Sequence, residues 1–383
     1  MKKRLTPPSA PLPWVWQDSQ WPAFVWDTAA LSPSLAAARR AQGELVGAAR
    51  LLDADHQTRA EADLLLQDAL NTSLIEGERP NPEGLRSSIA RRLGLPFAGL
   101  PGPDQGTDGL VEVLLDATSR YAEPLTLERL CAWQGALFPD GHSLLHRIRT
   151  GELRGEQPMQ IVSGPVGRER IHYEAVPRDR LDTEMERFLE WFGKPQPGLD
   201  GLLRAGVAHL WFELIHPFED GNGRVGRALM DMALAQDEGK GVRLYSMSAQ
   251  FMKDRSHYYE LLELAGRGSL DVTEWLLWFV RQIQIACTSA RAALSVVLAK
   301  ARFWLRYAEA PLNDRQRKAL NRLLDAGPGR FEGGMTTRKY VSLGSVSRAT
   351  AFRELSQLVE LGCIVPNEKG GRSVGYDIPW ATL

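Results

Sequence analysis

Cysteine is scarce in this sequence, and so are long apolar runs and any excess of one charge. The three cysteines, Cys131, Cys287 and Cys363, lie far apart without the spacing of a metal site, so we expect neither disulfides nor zinc. No segment is expected to reach the roughly 20 apolar residues of a membrane helix. The formal net charge of −1 favours neither nucleic acid nor membrane as a partner. These absences predict a cytoplasmic protein without a membrane partner.

The length and composition predict several ordinary globular domains. The chain has 383 residues, of which 44% are apolar and 24% are charged, and a chain of this length usually divides into two or three cores. We predict an N-terminal arm and helical domain over residues 1–105, a second domain over residues 106–300 and a third over residues 311–383. Prolines and tryptophans are concentrated in the first 30 residues, and the tryptophans are expected to pack onto the body of the protein.

Apolar residues recur mostly at helical spacing, so the predicted fold is mainly α. Residues 158–177 break this pattern, because two short β-type runs flank a turn that contains Gly164, Pro165 and Gly167. We therefore predict a β-hairpin there. An isolated hairpin is only marginally stable, so it must lean on the helices or on a bound partner, and the pattern leaves both open.

The segment from His216 to Arg227 concentrates polar and charged groups in a short stretch. It reads His-Pro-Phe-Glu-Asp-Gly-Asn-Gly-Arg-Val-Gly-Arg and follows a strongly helical pattern. Pro217 disfavours helical geometry at His216, so one helix should end there, and a second should begin near Asn222. Glycines and unpaired charges are poor core material, so this predicted loop between two helices is a candidate site.

Three glycines in this segment, Gly221, Gly223 and Gly226, match the G-x-G-x-x-G pattern of dinucleotide-binding folds. That pattern requires a preceding strand, whereas a helix is predicted here, so we do not favour a dinucleotide-binding fold. The glycines instead let backbone amides at a helix N-terminus approach phosphate oxygens closely. Asn222 can cap this helix or donate a hydrogen bond to a phosphate.

Charged side chains around the same helix N-terminus suit a phosphoryl-type transfer. Arg224 and Arg227 are three residues apart, so both can hold successive phosphates from one face of the first turn. Asp220 can bind a Mg²⁺ ion that bridges those phosphates, and His216 can accept the proton of an attacking hydroxyl. Each of these residues is usually structural in isolation, but their combination favours a site.

The whole segment resembles the signature of Fic-domain proteins, and the resemblance extends over residues 110–285. It implies a helical fold with a β-hairpin flap, and transfer of AMP from ATP, with Mg²⁺, to a hydroxyl side chain of a target protein. In this resemblance His216 is the base and Asp220 the metal ligand. The implied ATP-binding residues are Gly221, Asn222, Gly223, Arg224, Gly226 and Arg227.

Two further groups take their predicted roles from the same resemblance. The hairpin is expected to bind the target polypeptide by strand addition through Ile161, Val162, Ile171 and Tyr173. Tyr258 and Tyr259 are either neighbours of the adenine or core residues.

The resemblance also changes the interpretation of Glu76. Taken alone, a glutamate at a predicted helix C-terminus is a solvated surface residue. The run Thr72-Ser73-Leu74-Ile75-Glu76-Gly77, however, resembles the inhibitory motif of Fic-domain proteins. It implies that Glu76 forms a bidentate pair with Arg227 and withdraws this arginine from the γ-phosphate. Some relatives also use this glutamate to remove AMP, so a bifunctional enzyme is a further hypothesis.

The last 73 residues resemble a winged helix-turn-helix, with three predicted helices followed by a hairpin. Residues 311–383 contain eleven Lys or Arg and seven Asp or Glu, a net charge of +4 against −5 for the preceding residues. Winged helices bind DNA or dock proteins, and the charge favours DNA. The residues predicted to face DNA are Ser345, Ser347, Arg348, Thr350 and Arg353.

The leading hypothesis is therefore a self-inhibited Fic-type adenylyltransferase with a winged-helix tail. One alternative is a DNA-binding regulator whose nucleotide site senses a nucleotide without catalysis. A second is a Fic transferase that uses another nucleotide, because the loop contacts phosphates and indicates little about the base. The sequence is compatible with either a monomer or a homodimer.

Overall fold

The computed structural model of the chain describes residues 14–96, 102, 105–143, 146–163, 168, 170–239, 243–367 and 374–382, and the structural statements below concern these residues. The predicted hairpin turn at residues 164–167 lies outside them. Described residues of the ranges 1–44 and 54–288 form one compact unit, and those of the ranges 45–53 and 289–383 form a second. The division into three domains stays a prediction.

The prediction of a mainly α fold with small hairpins is confirmed by the element order of the described residues. The helices are α1 (Thr28–Ala49), α2 (Ala54–Ile75), α3 (Pro82–Arg92), α4 (Gln105–Ser119), α5 (Leu127–Leu137), α6 (Arg178–Gly193), α7 (Gly201–Ile215), α8 (Asn222–Glu238), α9 (Met247–Lys253), α10 (Arg255–Arg267), α11 (Thr273–Arg306), α12 (Asp314–Ala326), α13 (Thr337–Gly344) and α14 (Arg348–Glu360). The strands are β1 (His142–Ser143), β2 (His146–Arg147), β3 (Gln160–Ser163), β4 (Arg170–Glu174), β5 (Met335–Thr336), β6 (Val365–Pro366) and β7 (Gly375–Asp377).

Helices α7 and α8 form the centre of the first unit. Nearly all residues of α7 and most residues of α8 are buried, as expected for helices that are apolar on several faces. The side chain of Asp200 caps α7 by accepting a hydrogen bond from the Leu202 amide. Helix α7 ends before His216 and Pro217, and α8 begins at Asn222, as the sequence predicts.

Helix α2 ends in a glycine turn that brings two glutamates close to α8. Gly77 has a φ of +84°, a conformation that favours glycine. The Glu78 amide donates to the Ser73 carbonyl at 2.9 Å, which is the six-residue bond of a Schellman motif. Glu76 and Glu78 therefore leave α2 at fixed positions on either side of Gly77.

The N-terminal arm packs onto the first unit, as predicted. Trp16 and Trp21 are buried. The Trp16 indole donates to the Glu174 carbonyl of β4 at 2.8 Å, and the Trp21 indole donates to the Glu184 carboxylate at 2.9 Å. Burying large rings while their N–H groups are satisfied stabilises the position of this arm.

The predicted hairpin is present as the antiparallel pair β3–β4, with a register shift between Ile161 and Val162. The Tyr173 hydroxyl donates to the Leu214 carbonyl in the last turn of α7 at 2.8 Å. The Arg267 guanidinium donates to the carbonyls of Ile171 and His172. Strand β4 is thus attached to the helical body at several points.

The second unit has its own core beneath α12, α13 and α14, with Leu320, Tyr340, Leu355 and Ile378 buried together. Strands β5, β7 and β6 form an antiparallel sheet in that order. The order of elements is helix, strand, helix, helix, strand, strand, and the winged-helix assignment stays a prediction. Gly370 and Gly371 of the predicted wing lie outside the described residues.

Within the described part of the chain, one helix, α11, is long and apolar enough to cross a membrane by length and composition. The expectation that no segment meets this criterion is therefore wrong. The criterion is weak evidence for a membrane span, because a core helix meets it too. Trp275, Phe279 and Ile283 at the start of α11 are buried in the protein.

Candidate active site

His216 is held in the geometry of a base by the end of α7. Its backbone is left-handed, with φ 53° and ψ 62°, and its amide still donates to the Phe212 carbonyl at 3.0 Å. The ring Nδ1 lies 3.2 Å from the Glu213 carbonyl. A carbonyl oxygen can only accept, so this contact assigns the proton to Nδ1 and leaves Nε2 to accept one. Burial lowers the pKa of His216 to about 4, so the ring is neutral at pH 7.

The loop between His216 and α8 is closed by its own residues. Gly221 has a φ of +87°, and a Cβ there would lie 2.8 Å from the Phe138 ring, so two independent constraints favour glycine. The Asn222 side chain accepts from the Phe218 amide at 2.9 Å and donates to the Phe218 carbonyl at 2.8 Å. Asn222 thus fixes the loop with both ends of its amide, and the predicted contact of its side chain with a phosphate stays without support. Phe218 is fully buried.

Arg227 is buried and contacts Thr72 on α2 and Glu76 just after it. Its Nε donates to the Thr72 hydroxyl at 2.7 Å, and its Nη2 donates to the Thr72 carbonyl at 3.1 Å and to Glu76 Oε1 at 2.6 Å. The predicted bidentate pair with Glu76 is therefore wrong, because one nitrogen, Nη2, donates to one carboxylate oxygen, and Nε donates to Thr72 instead. Within the described residues, Arg227 Nη1 has no hydrogen-bond partner.

The Glu76 carboxylate also lies at the N-terminus of α8. A Cβ on Gly223 would stand 3.2 Å from the Glu76 carboxyl carbon, and closer still to Oε1. The first-turn amides of a helix have no intrahelical acceptor and attract anions. Glu76 thus brings a negative charge to the position where this helix N-terminus would hold a phosphate.

Arg224 is paired with a second carboxylate. Its Nη1 donates to Glu78 Oε2 at 2.9 Å, and its guanidinium lies over the Phe138 ring. Burial is the largest influence on the Glu78 carboxyl and raises its pKa. Arg224 Nε is buried without a partner in the described part of the chain. Each arginine therefore has one buried nitrogen, Arg224 Nε and Arg227 Nη1, without a hydrogen-bond partner among the described residues.

Asp220 is the candidate metal ligand. Its Oδ1 accepts from the Gly221 amide at 2.5 Å, and its Oδ2 accepts from the Ser143 hydroxyl. No group of three or more His, Cys, Asp or Glu side chains placed to hold a metal occurs among the described residues. One carboxylate beside a phosphate site still fits Mg²⁺, which takes its remaining oxygens from phosphate and water.

The two tyrosines predicted near the adenine differ from each other. Tyr258 is 1% exposed, stacks on Phe251 at 4.8 Å and contacts His209 through its hydroxyl at 2.9 Å. This places Tyr258 in the core and not on a surface that a base could reach. Tyr259 is 41% exposed and donates to the Ile75 carbonyl at the end of α2, so its role beside a base stays a prediction.

The hairpin residues predicted for target binding also differ in their exposure to solvent. Ile161, Val162 and Ile171 are exposed apolar residues on the β3–β4 hairpin. Tyr173, in contrast, is 3% exposed and anchors β4 to α7. Its predicted docking role is therefore corrected to an anchoring one, because a buried side chain cannot meet a partner.

In the second unit, the residues predicted to face DNA are partly occupied by helix capping. The Ser347 hydroxyl caps α14 by accepting from the Thr350 amide, and it also contacts the Thr350 hydroxyl. Ser345 adopts a left-handed backbone at the end of α13. Arg348 and Arg353 have exposed side chains near the start of α14.

Several residues around the site were not predicted from the sequence. Glu78 pairs with Arg224, Arg154 contacts the His216 carbonyl, and Ser143 donates to Asp220. Gln134 donates to the Asp220 carbonyl at 3.3 Å. Glu78 stands two residues after Glu76, so its position beside this motif is a signal that could have identified it. The others come from distant segments without a local pattern.

Comparisons with known proteins agree with this geometry. The Fic/DOC family matches residues 124–234, and a domain of unknown function, DUF4172, matches residues 14–95. Protein adenylyltransferase Fic of Nematostella vectensis is 25% identical over 215 residues, which make up 55% of this chain and 46% of that protein. The protein of the same name in Drosophila mojavensis is 36% identical over 87 residues, or 22% of this chain and 16% of that protein. The chain thus matches less than half the length of these relatives.

A solved structure shares the fold. A Fic domain containing signaling protein from Bacteroides thetaiotaomicron has a TM-score of 0.51 at 16% identity, covering 70% of this chain and 97% of that one. Likeness at such low identity concerns the fold alone. With the family match and the loop between α7 and α8, it leads to one conclusion: the chain contains a Fic domain, which includes residues 124–234.

Proposed function

We propose that this protein is a self-inhibited adenylyltransferase that transfers AMP from ATP to a Ser, Thr or Tyr hydroxyl of a target protein. The observation that carries the proposal is the position of the Glu76 carboxylate, which pairs with Arg227 and lies against Gly223. A carboxylate and a phosphate compete for the same groups. The names of the relatives support AMP as the transferred group.

The reaction follows from the groups around the helix N-terminus. The target hydroxyl oxygen attacks the α-phosphorus of ATP, the bond from this phosphorus to the bridging oxygen breaks, and pyrophosphate leaves. His216 Nε2 accepts the hydroxyl proton, since its neutral ring has Nδ1 protonated toward Glu213. The α8 amides, Arg224 and Arg227 hold the phosphates. Asp220 would hold Mg²⁺, which when bound neutralises phosphate charge.

Self-inhibition follows from competition for the arginines. While Arg227 donates to Glu76 and Thr72, its Nε and Nη2 are occupied, and its Nη1 is buried. ATP then binds with fewer contacts, and its α-phosphate is poorly aligned with the attacking hydroxyl. In-line alignment contributes several kcal/mol to such transfers, so we expect the protein to be weakly active until Glu76 is displaced.

The experiment compares the wild-type protein with Glu76→Gly and with Glu76→Gly combined with His216→Ala, each incubated with α-labelled ATP, Mg²⁺ and a lysate. We expect strong protein labelling only with Glu76→Gly. Mass spectrometry then separates AMP from another nucleotidyl group by the mass added. ATP binding by Glu76→Gly without any transfer to protein would contradict the proposal and favour a nucleotide sensor.

We further propose that the second unit binds DNA. Arg330, Arg338 and Arg348 line an open cleft with Phe352, which is 64% exposed on α14. Arginines beside an exposed aromatic ring suit a phosphate backbone and adjacent bases. The salt dependence of DNA binding tests this proposal.

A further inference from the structure

Arg154 is a buried arginine that the proposed reaction does not use. It is 2% exposed. Its Nε donates to the His216 carbonyl at 2.9 Å, its Nη2 donates to the Val176 carbonyl, and its backbone amide donates to the Pro217 carbonyl at 3.0 Å. A single residue thus contacts two consecutive carbonyls of the base loop and the end of the hairpin.

Among the described residues, no carboxylate pairs with the Arg154 guanidinium, and backbone carbonyls are its hydrogen-bond acceptors. A buried cation without a counter-ion is costly. The C-terminal end of α7 offsets part of this cost, because its carbonyls carry the negative end of the helix dipole. An apolar side chain at this position would avoid this cost but would leave the His216 and Val176 carbonyls without these donors.

The contact acts on an unusual backbone. His216 has a left-handed conformation that side-chain-bearing residues rarely adopt, with φ 53°. Such conformations persist only when surrounding contacts hold them. Arg154 holds the carbonyls of His216 and Pro217, and the amide of His216 is held by Phe212. The direction of the His216 ring follows from this backbone.

The same guanidinium reaches the hairpin. Val176 follows β4 by two residues, and β4 has a second attachment to α7 through the Tyr173 hydroxyl and the Leu214 carbonyl. The last turn of α7 is therefore attached to the hairpin twice, once at Leu214 and once at His216.

We propose that Arg154 is a positioning residue that holds His216 as a base and fixes its distance from the hairpin on which the target polypeptide binds. The inference rests on the proposed function. The positive charge of Arg154 also acts on His216 directly, because it adds to the effect of burial in lowering the pKa of the ring. Arg154 thereby favours the neutral ring that can accept a proton.

The test uses Arg154→Lys and Arg154→Met in the Glu76→Gly protein. Lysine keeps the charge but cannot donate to the His216 and Val176 carbonyls at the same time, whereas methionine keeps the length and removes the charge. We expect kcat to fall about 100-fold in both, because small misplacements of reacting groups cost about that much. KM for ATP should change little, since Arg154 lies away from the phosphate-binding groups. The acid limb of the kcat profile should move to higher pH with methionine and stay in place with lysine.

Arg204→Met is the matched control. Arg204 lies at the other end of α7, is also largely buried, and donates to the Phe192 carbonyl at 2.7 Å and to Gln236. Its loss should lower stability without moving the pH profile or selectively lowering kcat. Equal behaviour of the Arg154 and Arg204 variants would overturn the proposal and make Arg154 a structural residue only.

Two further results keep the test decisive. If Arg154→Met fails to fold, Arg154→Lys still reports the kcat loss at unchanged KM, and a normal kcat overturns the proposal. If Glu76→Gly itself transfers nothing, the proposed function fails separately. A crystal structure of the folded Arg154→Met protein then decides, because an unchanged backbone and ring orientation at His216 contradicts the inference.

Discussion

The Glu76 carboxylate lies directly against Gly223, so that a Cβ on Gly223 would stand 3.2 Å from the Glu76 carboxyl carbon. Four residues earlier on α2, Thr72 accepts a hydrogen bond from Arg227, which is four residues later on α8. One face of α2 therefore runs antiparallel to one face of α8. The position of Glu76 depends on this helix pairing as well as on its own ion pair.

The space at Gly223 predicts a double-mutant cycle with Glu76. In the wild-type protein, Gly223→Ala should lower the free energy of unfolding by about 1–3 kcal/mol, because the new methyl group overlaps the carboxylate. In Glu76→Gly the same change should cost less, because the carboxylate is gone and alanine favours a helix by up to about 1 kcal/mol over glycine, although Arg227 Nη1, 3.0 Å from the new Cβ, still has to move. Urea unfolding of the four proteins measures the coupling. Equal effects in both backgrounds would show that the carboxylate is not at Gly223 in solution.

Glu78 is predicted to be a weaker second inhibitor than Glu76. Its side chain is 38% exposed, and ion pairs with such solvent access contribute about 0.2–1 kcal/mol. Glu78→Gln in the Glu76→Gly background should therefore tighten ATP binding by at most about fivefold, by releasing Arg224. Isothermal titration with ATP and Mg²⁺ measures this change. The exposed Glu83→Gln is the charge-matched control, and weaker ATP binding by Glu78→Gln would mean that Glu78 assists the nucleotide.

The pairing of α2 with the body of the protein should depend on pH through Asp68. Burial, followed by the nearby Asp231 carboxylate, raises the pKa of Asp68 to about 7, while Arg243 and the Ser246 hydroxyl oppose the rise. An unfolded aspartate has a pKa of about 3.9, so between these values the folded state retains a proton that the unfolded state has lost. Stability should therefore fall as pH rises from about 4 to 7.

Asp68→Asn removes this titration and should flatten the decline. The change in urea midpoint between pH 5 and pH 8 is measured for this variant and for the wild-type protein. Groups that titrate in both proteins, such as His216, contribute equally to the two changes, so their contributions largely cancel in the difference. Asp63→Asn, at an exposed position on the same helix, is the control. A decline that is just as steep in Asp68→Asn would assign the pH dependence to another group.

The sequence predicted the loop and the end of α2 because their signals are local. Pro217 ends α7, Gly77 ends α2, and the segment from His216 to Arg227 is a short loop followed by the start of α8. Short-range geometry of this kind follows from backbone preferences. The pairing of Glu76 with Arg227 came from the family resemblance, and the structure corrected its bidentate form, since a single hydrogen bond from Nη2 joins the arginine to the carboxylate.

Packing and long-range contacts were not predictable in the same way. Tyr173 was predicted to contact the target polypeptide and Tyr258 was a candidate neighbour of the adenine, but both side chains are buried. Whether an aromatic side chain faces the core or a ligand depends on which helices surround it. Arg154 is a single arginine in a loop, and only the tertiary fold places its guanidinium at the His216 carbonyl.

The tail is predicted to bind DNA through the exposed arginines of α14. Arg348→Ala combined with Arg353→Ala removes two charges without disturbing the Ser347 cap. Each lost phosphate contact should reduce the slope of log K against log salt by about 0.9, so the double variant should bind more weakly and with a flatter salt dependence. Fluorescence anisotropy with a duplex of random sequence at several salt concentrations measures both quantities. Arg322→Ala, an exposed arginine on α12, is the control, and a double variant that binds like this control would favour a protein partner for the tail.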